Sequence, residues 1–237
     1  MGRTRVPRSV LVTAVVAALV TAGALGGAVV LRPGAQPNDA RPPDGAPTRA
    51  VDARCPPESC QVLASTEVAG TVVALLADSD GGSGRVRFGG QARGLVVETM
   101  VTTMGARLTG DSLRCAEGAR PVCLVRGAVD GGAVGEVLVS AGTGEGTWRA
   151  AERLYFSDAG YLSLDDVTGD GVAEVVVVRH DCAPDAAPAR CRVAPVVAQV
   201  FDLGGTEVGC TRRHTAPSGL RGWPEVEVRR SDLRDCR

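Results

Sequence analysis

The thirteen residues Asp166–Val178, DVTGDGVAEVVVV, set Asp166, Thr168, Asp170 and Glu174 at alternating or near-alternating positions before a run of valines. Oxygen-bearing side chains at that spacing suit a hard cation such as Ca²⁺, which takes six to eight oxygens. Gly169 and Gly171 supply the backbone freedom that a turn aiming several of them inward requires. The same residues also support a plainer chemistry, in which Asp side chains close a glycine-rich turn by bonding their own backbone.

Little else in the chain has catalytic spacing. Its two histidines are His180 and His214, it has no Lys, and neither a G-x-S-x-G elbow nor an H-E-x-x-H helix occurs. His180, in RHDC, reads as a strand-end histidine bonded to Asp181. Asp165 and Asp166 are the type of acid pair that a surface hydrolase acting on glycosides would use. As strand neighbours, however, they point to opposite faces and cannot flank one bond. The seven aromatics are too few for a stacking platform, and Trp148 and Trp223 read as core plugs or strand-end anchors. No catalytic residue is assigned, and the chain is expected not to be an enzyme.

The elements that position the acidic stretch follow from composition. All 26 basic residues are Arg, as a GC-rich bacterial genome would encode. Residues 55–237 hold 19 Arg against 24 Asp plus Glu, so no basic footprint for nucleic acid exists there. Val10–Leu31 is a 22-residue run without a charge. As a helix it would cover about 33 Å, against roughly 30 Å of hydrocarbon. Arg3, Arg5 and Arg8 precede it, which predicts a cytoplasmic 1–9, a transmembrane signal-anchor helix over 10–31 and an outer C-terminal part. Cleavage near Ala22-Gly23-Ala24, giving a secreted protein, is the alternative. Residues 32–54 carry five prolines and read as an extended spacer. The expected partners are the membrane, through the helix, and a surface protein or cell-wall component.

All eight cysteines fall in the outer domain, 55–237, which reads as a disulfide framework. None of CPPESC, CAEGARPVC or CAPDAAPARC has zinc-ligand spacing. Three close pairs bracket Pro-containing loops, so the expected bridges are Cys55–Cys60, Cys115–Cys123, Cys182–Cys191 and, by remainder, Cys210–Cys236.

Short β-branched runs bounded by Gly, Asp or Pro dominate this domain: GTVVALLAD, GRVRFGG, GLVVETMVTT, PVCLVRGAV, GEVLVSAG, AEVVVVRH and VAPVVAQVFDLGG. They predict an all-β fold, with Pro195 demoting the last run to an edge strand or bulge. VDGGAVGEVLV (129–139) aligns with VTGDGVAEVVV (167–177) at an offset of 38, placing Glu136 over Glu174. A third copy, 78–88, fits with a one-residue gap. Such periods belong to propeller blades, but three units are fewer than the usual four to eight, so the expectation is blade-like or sandwich-like packing.

DVTGDGVAEVVVV also resembles the acidic loop of FG-GAP and VCBS repeats, the integrin-alpha-type blades patterned D-x-[DN]-G-D-G-x-x-D before an aliphatic strand. The resemblance covers roughly Tyr161–Cys210. It implies a Ca²⁺ loop between two strands of a blade, with Asp166, Thr168, Asp170, the Val172 carbonyl and Glu174 as ligands. Thr168 and Glu174 depart from the pattern, and the earlier copies lack the carboxylates. The expected role is a cell-surface binding or structural module, with the surface hydrolase as the rival.

Overall fold

The structure is a computed structural model describing residues 60–91, 94–142, 147–183 and 185–236, all within the unit Val51–Arg237. The predicted 1–9 terminus, the anchor at 10–31, the spacer at 32–54 and Cys55 lie outside these residues. Among the described residues no helix is long and apolar enough to cross a membrane.

Among the described residues, twelve strands form three antiparallel sheets of four, each following chain order. The first holds β1 (Gln61–Val68), β2 (Thr71–Ala77), β3 (Gly84–Phe88) and β4 (Leu95–Glu98). The second holds β5 (Leu113–Ala116), β6 (Val122–Val129), β7 (Gly132–Ser140) and β8 (Trp148–Ser157). The third holds β9 (Tyr161–Asp165), β10 (Glu174–His180), β11 (Val196–Phe201) and β12 (Glu207–Cys210). One helical turn, α1 (Pro188–Cys191), lies in the β10–β11 connection. The expected all-β class is therefore observed.

The sheets pack in series, because their central strands are apolar on both faces. Val73, Leu75, Val86 and Phe88 of the first sheet meet Cys123, Val125, Val134 and Leu138 of the second. The opposite face of the second, with Val122, Leu124 and Val137, meets Leu162, Val175 and Val177 of the third. The valine run of β10 then divides by the period of two. Val176 and Val178 turn away from the second sheet and take Leu220, Val226 and Val228 of the C-terminal segment as cover. Successive valines thus serve two cores, which is why this strand reads as unbroken apolar rather than alternating.

Six of the seven aromatic rings form one pair at each of these layers. Phe88 stacks on Trp148 at 4.5 Å between the first two sheets. Tyr155 tilts against Phe201 at 5.5 Å between the second and third. Tyr161 meets Trp223 at 6.0 Å under the C-terminal segment. Trp148 is a core plug as expected, while Trp223 is partly exposed beside Tyr161.

Three bridges match the expected pairing: Cys115–Cys123, Cys182–Cys191 and Cys210–Cys236. Cys60 is also disulfide-bonded. Its expected partner, Cys55, lies outside the described residues. The first bridge joins directly opposed residues of β5 and β6. The last ties the end of β12 to the far end of the segment that covers the third sheet, beside a backbone bridge between Cys210 and Arg234.

Three sequence expectations change. The Thr-rich end of GLVVETMVTT is a 3₁₀ turn, Val101–Met104, closed by Gly105 in the left-handed conformation. Pro195 does not make β11 an edge strand: β11 sits between β10 and β12, and the proline stands just before its first residue, where no ladder N–H is needed. The offset of 38 does not relate equivalent strands, since it sets the β6–β7 hairpin on the β9–β10 hairpin. The sheets begin at Gln61, Leu113 and Tyr161, a structural period of roughly fifty residues.

Candidate functional site

The acidic stretch forms the connection between β9 and β10, and every side chain that it contributes has a defined use. Gly169 and Gly171 adopt φ of 76° and 82°, a left-handed geometry that lets the chain fold back over Asp166. The Gly169 N–H then donates to Asp166 Oδ1 at 2.8 Å and the Gly171 N–H to Asp166 Oδ2 at 3.0 Å. The Val172 N–H donates to Asp170 Oδ1 at 2.8 Å.

Glu174 opens β10 and is 4% exposed. Its Oε2 accepts the N–H groups of Val167 and Thr168 at 2.8 and 3.3 Å, and its Oε1 accepts the Thr168 hydroxyl at 2.9 Å. A buried carboxylate is costly unless hydrogen bonds replace its water, and these three do so. The longer arm of Glu174 is what lets it reach back to the start of the loop.

Glu136 repeats the device in the second sheet. It is 1% exposed and its Oε2 accepts the Thr99 hydroxyl at 2.7 Å and the Met100 N–H at 2.8 Å. The sequence overlay of Glu136 on Glu174 therefore pairs two residues with one job, a buried carboxylate holding a threonine and an adjacent amide, although their strands are not equivalent.

The loop also clasps its neighbour. The Gly171 carbonyl accepts the Ala119 N–H at 2.8 Å, joining the β9–β10 loop to the β5–β6 turn. Contact is so close that a Cβ on Gly118 would lie 2.3 Å from that carbonyl oxygen.

The five nominated ligand positions, Asp166, Thr168, Asp170, the Val172 carbonyl and Glu174, are thus gathered in one turn, but the carboxylates are aimed at amides. Among the described residues, the acidic and thiol groups whose ligand atoms lie within 4.8 Å of one another are Asp158 with Cys182 and Cys191, and Glu207 with Cys210 and Cys236. The cysteines in both are disulfide-bonded and offer no thiolate. Asp166, Asp170 and Glu174 form no such group. As folded, the donor set closes a turn, with amide N–H groups on both oxygens of Asp166 and on one of Asp170.

Asp165, opposite Glu174 in the ladder, is half-buried. Burial pushes its carboxyl above the ordinary range, with the charges of Asp166 and Glu227 adding to that, against hydrogen bonds from the backbones of Asp166 and Val228. His180 takes a different partner from the one expected. Asp158, in the β8–β9 turn, accepts the His180 N–H at 2.8 Å and lies 3.3 Å from its Nδ1. Asp181 instead pairs with Arg213.

Sequence reasoning passed over Arg126, whose guanidinium reaches from β6 to the Leu162 carbonyl of β9. Its signal was present as a single charge inside the apolar run PVCLVRGAV. No protein-family model matches this chain, and no curated protein or solved structure shows a similarity to it.

Proposed function

We propose that this chain is a membrane-tethered, extracytoplasmic binding or structural module, with a domain of blade-like sheets, rather than an enzyme. The observation that carries the reading is where its acidic side chains go. Asp166, Asp170, Glu174 and Glu136 bond their own chain's amides and hydroxyls and so fix turns and sheet contacts. A hydrolase needs carboxyls that converge across a cleft on one substrate bond.

The blade reading draws support from three chain-ordered meanders stacked face to face, and from the acidic loop joining the first two strands of the third. In the FG-GAP-like version of this reading the loop is a degenerate unit that keeps the turn without depending on Ca²⁺. The tether rests on the charge-free run Val10–Leu31 and its preceding arginines.

Co-sedimentation of the full chain with cell-wall material, beside a measurement of reducing ends released from the same material, tests the reading. It expects binding that persists in Asp165→Asn and no release. Release that disappears in Asp165→Asn would overturn it in favour of the hydrolase.

A further inference from the structure

A cleft of about 770 Å³ opens where the ends of the second sheet, β9 and the Pro224–Glu225 stretch come together. That is the size of a small-molecule or oligomer subsite. Arg107, Arg114 and Arg126 line it, with Asp111, Glu225 and Ser163.

Two of the arginines already have partners. Arg107 pairs with Asp80 at 2.9 Å, and Arg114 with the exposed Asp111 at 3.2 Å. Arg126 is different. It springs from the face of β6 that carries Val122 and Leu124, and it is partly buried at the edge of that apolar layer. The one hydrogen bond of its guanidinium among the described residues goes to a neutral acceptor, the Leu162 carbonyl. Burial weakens its hold on its proton and the neighbouring Arg114 charge weakens it further, against the smaller opposing pull of Tyr161 and Asp111. A guanidinium has five N–H donors, and a partly buried one that gives a single bond to a neutral acceptor leaves donors to spare. Ser163 lines the same cleft, and its buried hydroxyl has no hydrogen-bond partner among the described residues. Buried polar atoms are rarely left so. A half-buried cation with no carboxylate in hydrogen-bond contact and a hydroxyl without a hydrogen-bond partner among the described residues, on residues that line one cleft, are complementary to a single kind of ligand group.

We propose that this cleft binds an oxyanion, the phosphate or carboxylate group of a larger ligand, through the Arg126 guanidinium and the Ser163 hydroxyl, with Arg114 adding positive charge. Guanidinium matches either group through paired N–H donors. The cleft would then be the recognition site of the surface module, so the assignment rests on that reading.

Melting of the oxidised full chain in non-ionic detergent, titrated to tens of millimolar with inorganic phosphate or acetate at fixed ionic strength, tests it. A saturable rise with phosphate alone assigns a phosphate-bearing ligand, and one with acetate alone a carboxylate; either supports the site. Arg126→Gln is expected to weaken binding about 100-fold. Because that change also removes the bond to Leu162, Ser163→Ala is the decisive variant. Its hydroxyl has no partner among the described residues, so folding is retained while affinity falls about tenfold. No saturable response to either anion, or an unchanged one in Ser163→Ala, overturns the proposal. That failure would leave the module reading standing, since co-sedimentation without turnover is measured separately.

Discussion

At the scale of single residues, the carboxylates of this protein act as backbone acceptors. Glu174 meets three donors, so Glu174→Leu leaves two backbone amides and the Thr168 hydroxyl without their acceptor. The expected loss is about 1–3 kcal/mol, read from denaturant midpoints at constant slope. Asp165 shows the opposite balance, because burial makes its charge unfavourable. The folded chain holds this proton to higher pH than the unfolded chain does. Between the ordinary value of 3.8 and the raised one, the native state therefore binds more protons, and stability falls as pH rises. Asp165→Asn removes that cost: its melting temperature should exceed the parent's at neutral pH, with the gap closing below about pH 4. A gap that widens on acidification would mean that the hydrogen bonds from Asp166 and Val228 outweigh the burial.

At the scale of elements, the strongest strands were legible because β-branched runs between Gly, Asp and Pro leave few alternatives. β2, β3, β4, β6, β10 and β11 all lie within runs readable from the chain, and β7 enters one at Gly135. β1, β8 and β9 were not, since QVLASTEV, WRAAERLYFS and YLSLD mix polar residues into both faces and owe their form to the partners they pair with. The acidic loop was legible as a turn from Gly169 and Gly171. The target of each carboxylate was not, because that depends on which amides the folded loop leaves open. Arg126 was visible as a charge in an apolar strand, whereas its cleft needed β9 and the C-terminal segment brought beside it. The contact between the β9–β10 loop and the β5–β6 turn gives a test at this scale. Gly118→Ala would force its Cβ against the Gly171 carbonyl and break the Ala119 bond. About 1–3 kcal/mol should be lost, with earlier proteolytic cutting near both turns; unchanged protection would show that the clasp does not hold the sheets together.

For the whole molecule, stability comes from apolar layers in series, each with one aromatic pair, and from covalent staples at the turns and at the C-terminal cover. The loop most suited by sequence to Ca²⁺ is already closed by its own amides. Binding only to the native state would raise the melting temperature as ligand is added. The most direct test is therefore Ca²⁺ titration of the oxidised full chain in detergent, following heat and melting temperature, with Asp170→Ala alongside. The account expects no saturable heat and one melting temperature up to millimolar Ca²⁺, the range in which extracellular Ca²⁺ modules bind. Saturable binding that raises the melting temperature and disappears in Asp170→Ala would contradict it and make Asp166–Glu174 a metal site.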